Sequence, residues 1–576
     1  MISRRVGRNP LLSSRLPAWR RRVLLGLLLA GFATQAGRAL FLQGVNNEFL
    51  GEKGRARYER QLEIPATRGR IVDRHGGVLA VSTPVKSLWA IPDDAQLAPS
   101  QLRELAKLLG MESRELTQKL GSDRDFVYLK RQISPELAAR IAAMKLPGLH
   151  QQDEYRRYYP SGETMAHMLG FTGVDDAGQE GIERAYQAEL AGRNGSRRVI
   201  KDHRGNVVED VESIRAPQDG KDIVLALDAK VQHLAFAALE RAMRDTRARA
   251  ASVVAIDVRT GEILALANLP TYNPNNRARL SGPQLRNRAI TDTFEPGSTM
   301  KPFVAALAMD KGNVRFNTPI QTAPGSLTIG KAKISDAHKH GLLTLAEVIQ
   351  KSSNVGIAKV ALDLEAGDMD RGFRSLGFGA PVQIGFPGAS AGRLRAAKTW
   401  KPIEQATMAY GHGLSVSLMH MARAYQVFAR DGDMLPLSLV RVAAPLPQPA
   451  TVFTPQTARE VRAMLEMAVQ PGGTAPAAQV PGYRVAGKTG TAHKIEEGVY
   501  VNKYLSSFVG FAPASEPRLI VAVAIDEPQG KHYGGDVAAP VFAEIMGGSL
   551  RALGVAPDAP LKPLVMANAA PAEKKL

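Results

Sequence analysis

The chain has 576 residues, with 74 Lys or Arg against 55 Asp or Glu and a formal net charge of +19 at pH 7. This length exceeds one hydrophobic core and predicts two or three domains. Cysteine is absent, which excludes disulfide frameworks, thiolate zinc sites and cysteine nucleophiles. Aromatic residues are only 6% of the chain, without a basic stripe between them, so the charge favours an anionic membrane surface or cell-wall polymer over nucleic acid.

The first segment is a basic tail followed by an apolar run. Residues 1–22 contain seven arginines and no acidic residue. The apolar run extends over 23–42 if Arg38 reaches the interface, which is enough to span a bilayer. We interpret this run as an uncleaved transmembrane signal anchor with a cytoplasmic N-terminus. A cleaved signal peptide ending near Ala33 is the alternative.

Residues 44–225 are polar and rich in turns. The stretch 68–80 predicts a strand, a glycine turn and a second strand, and 101–145 shows helical periodicity twice. We find no combination of side chains there that suggests catalysis. This region is therefore predicted to be a mainly-β scaffold or interaction domain.

The secondary-structure pattern changes near residue 223. Asp228 is a candidate N-cap for a helix over 231–244. Strands are predicted at both ends of the region that follows, with a helical block between them, at 252–256, 263–267, 507–511 and 519–525. A last helix is predicted over 540–553, with Pro540 at its start. The fold class is therefore α+β, with an antiparallel sheet flanked by helices over 226–555 and a disordered tail over 556–576.

Three motifs in this region supply the side chains for serine acyl transfer without a histidine. They are Ser-x-x-Lys at 298–301, Ser-x-Asn at 352–354 and Lys-Thr-Gly-Thr at 488–491. Ser298 and Lys301 are predicted to share one face at a helix start, where backbone N–H groups can stabilise an oxyanion. Each motif alone is weak evidence for catalysis. The first, for example, is more often a helix-capping serine with a solvated lysine.

The second and third motifs add the groups that this chemistry needs. Lys301 can act as a base only when it is neutral, and a second cation at Lys488 would lower its pKa. Ser352 can relay a proton, and Asn354 can hold a substrate amide. The third motif is predicted on a strand beside the cleft, where a side-chain-free Gly490 admits a substrate peptide. Its remaining polar groups suit a terminal carboxylate and an oxyanion hole: Lys488, Thr489 and Thr491.

A nucleotide-binding interpretation competes at the third motif. Residues 482–489 match the P-loop pattern G-x-x-x-x-G-K-T, and an acidic pair follows a strand downstream. Gly490 disfavours the helix that a P-loop requires, and 475–481 do not form a buried strand. A metal site is disfavoured, because His338 and His340 lack a matching acidic cluster. No cofactor is expected.

Seven stretches together resemble the division-specific class B penicillin-binding proteins, peptidoglycan D,D-transpeptidases of the FtsI type. They lie at 68–82, 156–183, 294–302, 351–359, 411–417, 486–494 and 533–542. The resemblance implies a pedestal or dimerisation domain over 44–225 and a periplasmic transpeptidase domain over 226–555. It implies Ser298 as the acylated nucleophile, Lys301 as its base and the other two motifs as substrate-binding groups. His412 departs from the family, which usually has tyrosine there.

The resemblance implies cross-linking of peptidoglycan stem peptides at the septum, with inhibition by β-lactams. It also implies a membrane glycosyltransferase partner of the FtsW type and other divisome proteins, at the bacterial inner membrane. The alternatives are an elongation-type class B transpeptidase, a serine β-lactamase or β-lactam sensor, an inactive scaffold and, remotely, a P-loop NTPase. The long region before the motifs and the absence of an obvious deacylating carboxylate motif argue against a β-lactamase.

Overall fold

The computed structural model of the chain describes residues 17–45, 59–124, 126–201, 207–278 and 280–560. These residues form two compact units. One contains the described residues up to Ala66 together with Arg193–Gln218, and the other contains Thr67–Gly192 with the described residues from Asp219 onward. The basic residues before 17 and most of the predicted tail lie outside the described residues.

Helices and strands occur mostly in runs along the described chain. The strands are β1 (Glu59–Ile64), β2 (Ile71–Val72), β3 (Val78–Ala90), β4 (Val127–Ile133), β5 (Leu149–Tyr158), β6 (Gly195–Lys201), β7 (Val207–Arg215), β8 (Ile223–Val224), β9 (Ala250–Asp257), β10 (Ile263–Leu269), β11 (Pro319–Gln321), β12 (Ser326–Ile329), β13 (Ala332–Ser335), β14 (Leu342–Thr344), β15 (Asp433–Met434), β16 (Ala450–Thr451), β17 (Ala486–Glu496), β18 (Val499–Ala512) and β19 (Leu519–Asp526). The α-helices are α1 (Ala18–Leu40), α2 (Pro99–Leu109), α3 (Ser113–Leu120), α4 (Pro135–Ala143), α5 (Ala166–Leu169), α6 (Gly181–Ala185), α7 (Gln187–Leu190), α8 (Ala229–Thr246), α9 (Gly282–Leu285), α10 (Arg288–Thr291), α11 (Lys301–Asp310), α12 (Leu345–Lys351), α13 (Asn354–Leu362), α14 (Ala366–Ser375), α15 (Pro402–Met408), α16 (Leu418–Ala424), α17 (Gln426–Ala429), α18 (Pro455–Val469) and α19 (Gly534–Ala552).

The smaller unit contains α1 and a three-stranded antiparallel sheet in the order β1-β6-β7. The apolar segment of α1 and the turn after it covers Ala18–Gln43, with a mean hydropathy of 1.5 in its most apolar window. Among the described residues, this is the one helix long and apolar enough to cross a membrane. The predicted N-terminal apolar helix is confirmed, and it starts five residues earlier than 23.

The larger unit contains two five-stranded sheets, one formed by β2, β3, β4, β5 and β8. The other is antiparallel throughout, in the order β10-β9-β19-β18-β17. Strand β9 pairs with β19 along its whole length, from Ala250 opposite Asp526 to Asp257 opposite Leu519. Strands from the two ends of the predicted domain are therefore neighbours, which confirms the predicted sheet. Strand β17, which carries the third motif, lies at one edge of this order.

Helices cover both faces of this sheet. The predicted N-cap of helix α8 is confirmed, because the Asp228 side chain accepts hydrogen bonds from the N–H groups of Lys230 and Val231 at 2.9 and 3.2 Å. The helix itself begins at Ala229, two residues before the predicted 231. Helices α8 and α19 pack on one face, and the helical block that includes α11 packs on the other. The predicted start of α19 at Pro540 is wrong. The helix begins at Gly534, whose N–H donates to Thr491 Oγ1 at 3.0 Å and fixes the first turn to β17.

A buried ion triad joins two of the sequence stretches in the 67–192 part of the larger unit. Both carboxylate oxygens of Glu183 lie 2.6 Å from arginine nitrogens, one from Arg68 Nε and one from Arg157 Nε. The three side chains are at most 1% exposed. Charges buried this deeply persist only when paired, so we interpret the triad as structural.

Candidate active site

The first motif forms a tight turn that leads into α11. Residues Gly297–Met300 are a 3-10 turn, and Lys301 begins the helix. Ser298 is half-buried, whereas its neighbours on both sides are buried, so the serine is the accessible side chain of the turn. The buried Tyr425 supports the turn from behind, because its hydroxyl donates to Thr299 O at 2.9 Å. The predicted turn leading into a helix is confirmed for the backbone, with Ser298 in the 3-10 turn and Lys301 as the first residue of α11.

The second motif begins where α12 ends, as predicted. Ser352 adopts a left-handed conformation, with φ of 61°, as the C-cap of this helix. Its hydroxyl lies 3.1 Å from Lys301 Nζ and 3.0 Å from Lys488 Nζ, and its carbonyl oxygen also accepts from Lys301. One serine hydroxyl therefore connects the lysines of the first and third motifs.

The two lysines lie in an environment that disfavours their charge. Both side chains are fully buried. Burial, and then the positive charge of Lys488, lower the pKa of Lys301 well below its usual value, while Asp336 opposes this shift. Burial also lowers the pKa of Lys488 to about 7. A neutral Lys301 can accept a proton at neutral pH, which general-base chemistry requires.

Asp336 is a functional candidate that the sequence analysis missed. Its carboxylate accepts from Ser353 Oγ at 2.7 Å, from Asn354 N at 2.5 Å and from Val355 N at 2.9 Å. It thereby caps α13 and fixes the loop that carries Ser352. The residue precedes the motif by 16 positions in sequence without any spacing pattern that could have identified it.

The third motif lies on the edge strand β17, as predicted. Lys488 Nζ also donates to Thr489 Oγ1 at 3.3 Å. Gly490 is required by the protein's own atoms, because an added Cβ would lie 2.3 Å from Ser507 Oγ and 2.9 Å from Pro296 O. This close packing explains the glycine without any substrate, which differs from the reason predicted.

The structure also bears on three other parts of the sequence analysis: Asn354, the P-loop alternative and the possibility of a metal site. Asn354 is the first residue of α13, and its side-chain nitrogen Nδ2 donates to Ser335 O at 3.0 Å. The P-loop alternative is wrong in structure, because Lys488 and Thr489 lie inside a strand and not between a loop and a helix. No group of three or more His, Cys, Asp or Glu that could hold a metal ion occurs within the described part of the chain.

Comparisons with known proteins agree with this geometry. A family model described as "Penicillin-binding Protein dimerisation domain" matches residues 63–225, and one described as "Penicillin binding protein transpeptidase domain" matches residues 251–547. A "Probable peptidoglycan D,D-transpeptidase PenA" from Neisseria gonorrhoeae is 45% identical over 537 residues, covering 92% of each chain. "Peptidoglycan D,D-transpeptidase FtsI" from Escherichia coli K12 is 40% identical over 551 residues, covering 94% of this chain and 93% of the relative.

A solved structure adds a match in three dimensions. The apo transpeptidase domain of Burkholderia pseudomallei penicillin-binding protein 3 is 47% identical, with a TM-score of 0.54, and covers 58% of this chain and 98% of its own. The resemblance predicted from the sequence is confirmed by all three comparisons. The chain therefore belongs to the class B penicillin-binding proteins, the peptidoglycan D,D-transpeptidases.

Proposed function

We propose that this protein cross-links peptidoglycan stem peptides during septal wall synthesis through an acyl-enzyme on Ser298. Ser298 Oγ attacks the carbonyl carbon of the penultimate D-Ala and passes its proton to neutral Lys301. The C–N bond to the terminal D-Ala breaks, and this residue leaves with a proton delivered through Ser352. The amine of a second stem then forms an amide, which releases the serine.

The observation that supports this mechanism most strongly is the contact of both lysines with Ser352. A hydroxyl within 3.1 Å of each Nζ can accept a proton from one amine while donating to the other. The strand beside Ser352 carries the third motif, whose residues can bind the terminal carboxylate and complete the oxyanion hole: Lys488, Thr489, Gly490 and Thr491. Asn354 is assigned to the stem-peptide amide.

The cellular role is part of the proposal. The name FtsI of the Escherichia coli relative and the apolar helix α1 support a single-pass inner-membrane protein of the septum. We assign residues 1–22 to a cytoplasmic tail, 23–42 to the anchor, 44–225 to the pedestal and 226–555 to the periplasmic transpeptidase domain. An FtsW-type glycosyltransferase and divisome proteins are the proposed partners.

The experiment is labelling of the full-length protein in detergent with fluorescent penicillin. We expect a stable adduct on the wild type and no adduct on Ser298→Ala. Ser353→Ala is the control and should still be labelled, because it removes a hydroxyl of the second motif that contacts neither lysine. Equal labelling of Ser298→Ala would contradict the proposal. An adduct that decays within seconds would instead favour a hydrolase.

A further inference from the structure

Two ionisable side chains, Lys488 and Glu295, lie on either side of the nucleophile turn along β17. Lys488 lies at one end, and Gly490 packs against Pro296 beside the nucleophile turn. At the other end Glu295 accepts the N–H of Gly413 at 2.7 Å and the Tyr500 hydroxyl at 3.0 Å. The turn with Ser298 therefore lies between a buried lysine and a carboxylate, and we call the Glu295 side the anionic end.

His412 lies next to this anionic end because of a close backbone approach. Gly411, which precedes it, lies so near the nucleophile turn that an added Cβ would be 2.2 Å from Gly297 O. The His412 ring centroid is 5.0 Å from that of Tyr410 and 5.9 Å from that of Tyr500. The histidine is thus held between the nucleophile turn and the β17–β18 hairpin.

Several charged or titratable groups act on His412 from the elements around it. Burial lowers its pKa, Glu295 on the preceding loop raises it, and His493 on β17 and Lys301 on α11 lower it further. The balance is a lowered pKa, so the ring is neutral at neutral pH and can accept a proton.

A solvent-open recess of about 440 Å³ adjoins these groups. It is lined by His412, His493, Tyr500, Val501 and Asn502. Its lining contains imidazole and phenol groups, and the hydroxyl of Tyr500 donates to the Glu295 carboxylate at 3.0 Å. These groups together suit an organic ammonium group with a short aliphatic stem.

We propose that this recess, with Glu295 as its carboxylate and His412 as its proton acceptor, binds the acceptor amine of the transfer step. This inference rests on the proposed function, because it assigns a place to the second substrate of that reaction. The donor carboxylate is attracted to Lys488 and the acceptor ammonium to Glu295, so opposite charges direct the two substrates to opposite sides of Ser298.

The transfer step balances with these groups. The ammonium group gives one proton to His412, and the neutral amine attacks the acyl carbon of the ester. A C–N bond forms and the C–Oγ bond to Ser298 breaks. The serine oxygen takes a second proton from the amine nitrogen, and His412 later releases its proton to water.

The test measures how one acyl-enzyme divides between an amine and water. Full-length protein in detergent receives an acyl-D-alanyl thioester donor and D-alaninamide as the acceptor, and amide and hydrolysis products are quantified together. Their ratio does not depend on the acylation rate. We expect Glu295→Gln, which keeps an oxygen for the Gly413 N–H, to lower the ratio by about tenfold, since hydrogen bonds to charged groups are the strong ones. Glu496→Gln, which removes a carboxylate paired with Lys503 on the same hairpin, should not change it.

His412→Tyr tests the imidazole by its pH dependence. The ratio for the wild type, divided by that for His412→Tyr at the same pH, cancels the ionisation of the acceptor itself. We expect this quotient to fall as the pH decreases from about 7.5 to 5, because a protonated His412 repels the ammonium group and accepts no proton.

The outcomes separate the two claims. An unchanged ratio in Glu295→Gln, or a quotient independent of pH, would overturn the acceptor site while leaving the acyl-enzyme intact. Failure of the wild type to form any acyl-enzyme with the thioester would overturn the proposed function itself.

Discussion

Lys301 and Lys488 approach the same hydroxyl group, that of Ser352, at 3.1 and 3.0 Å. Two amines this close cannot both carry a proton without cost in a buried site, so the pair favours one neutral lysine. The arrangement gives Lys301 the role of base and Lys488 the role of a positive charge that it holds below about pH 7.

Removing the bridging hydroxyl should slow acylation more than it destabilises the fold. We expect Ser352→Ala to lower the second-order rate of penicillin acylation by about 10²–10⁴-fold, the usual contribution of a proton-transfer group. Ser353→Ala is the matched control, because its hydroxyl caps α13 and contacts Asp336. It should cost about 1 kcal/mol of stability and less than tenfold in rate. Equal rate losses in both variants would contradict the relay.

The acylation rate should have a bell-shaped pH profile. Below the lowered pKa of Lys301 the amine is protonated and accepts no proton, so the rate falls with decreasing pH. Above about pH 7 Lys488 loses its charge and attracts the donor carboxylate less, so the rate falls with increasing pH. Lys488→Arg stays charged and should remove the alkaline limb. Stopped-flow acylation across the pH range measures both limbs, and an unchanged alkaline limb in Lys488→Arg would assign it to another group.

Asp336 should matter for both stability and acylation. Asp336→Asn loses the negative charge that receives two backbone N–H groups and the Ser353 hydroxyl. We expect a stability loss of about 1–3 kcal/mol, typical of hydrogen bonds to a charged group, together with slower acylation because Ser352 is less firmly held. Thermal unfolding and penicillin labelling measure the two effects. A slower rate with no change in melting temperature would indicate a direct role in chemistry.

Gly490 should not tolerate a methyl group. In Gly490→Ala the new Cβ would lie 2.3 Å from Ser507 Oγ and 2.9 Å from Pro296 O. The second atom is a backbone oxygen of the loop just before the nucleophile, so it cannot move away by a side-chain rotation. We expect at least a hundredfold slower acylation, since a 1 Å misplacement can have that effect. Gly341→Ala, with no atom within 4 Å of the added Cβ, is the control and should be neutral. Normal acylation by Gly490→Ala would show that the strand and turn can move apart freely.

The buried triad should stabilise the larger unit. Glu183→Gln leaves two buried guanidinium groups without their counter-charge, which typically costs about 3–5 kcal/mol. Glu516→Gln breaks an exposed pair with Arg259, where the acid is 81% exposed, and should change stability by less than about 0.5 kcal/mol. Thermal unfolding of the two variants compares them directly, and equal melting temperatures would show that the triad is dispensable.

Local sequence patterns predicted the structural elements that depend on residues close together in the chain. The Asp228 cap, the helix ending before Ser352 and the strands at both ends of the sheet are each encoded within a few residues, and each is confirmed. The predicted start of α19 was wrong because the contact that sets the true start, from Gly534 to Thr491, joins residues far apart in sequence.

The site was only partly predictable for the same reason. The three motifs contain the lysines and Ser352, but no spacing links Asp336 or Tyr425 to them, since both act through contacts made only after folding. Gly490 shows a further limit, because the motif predicted only that this glycine admits a substrate peptide, whereas Ser507 and Pro296 leave no room for a side chain there.

The most direct test of the account is the mass of the Ser298 peptide after the protein reacts with a stem-peptide thioester donor. Full-length protein is quenched in acid, digested and examined by mass spectrometry. We predict that the acyl mass lies on Ser298 in the wild type, accumulates in the absence of acceptor amine and is missing from Ser298→Ala. An acyl group on another residue, or product formation by Ser298→Ala at the wild-type rate, would contradict the mechanism.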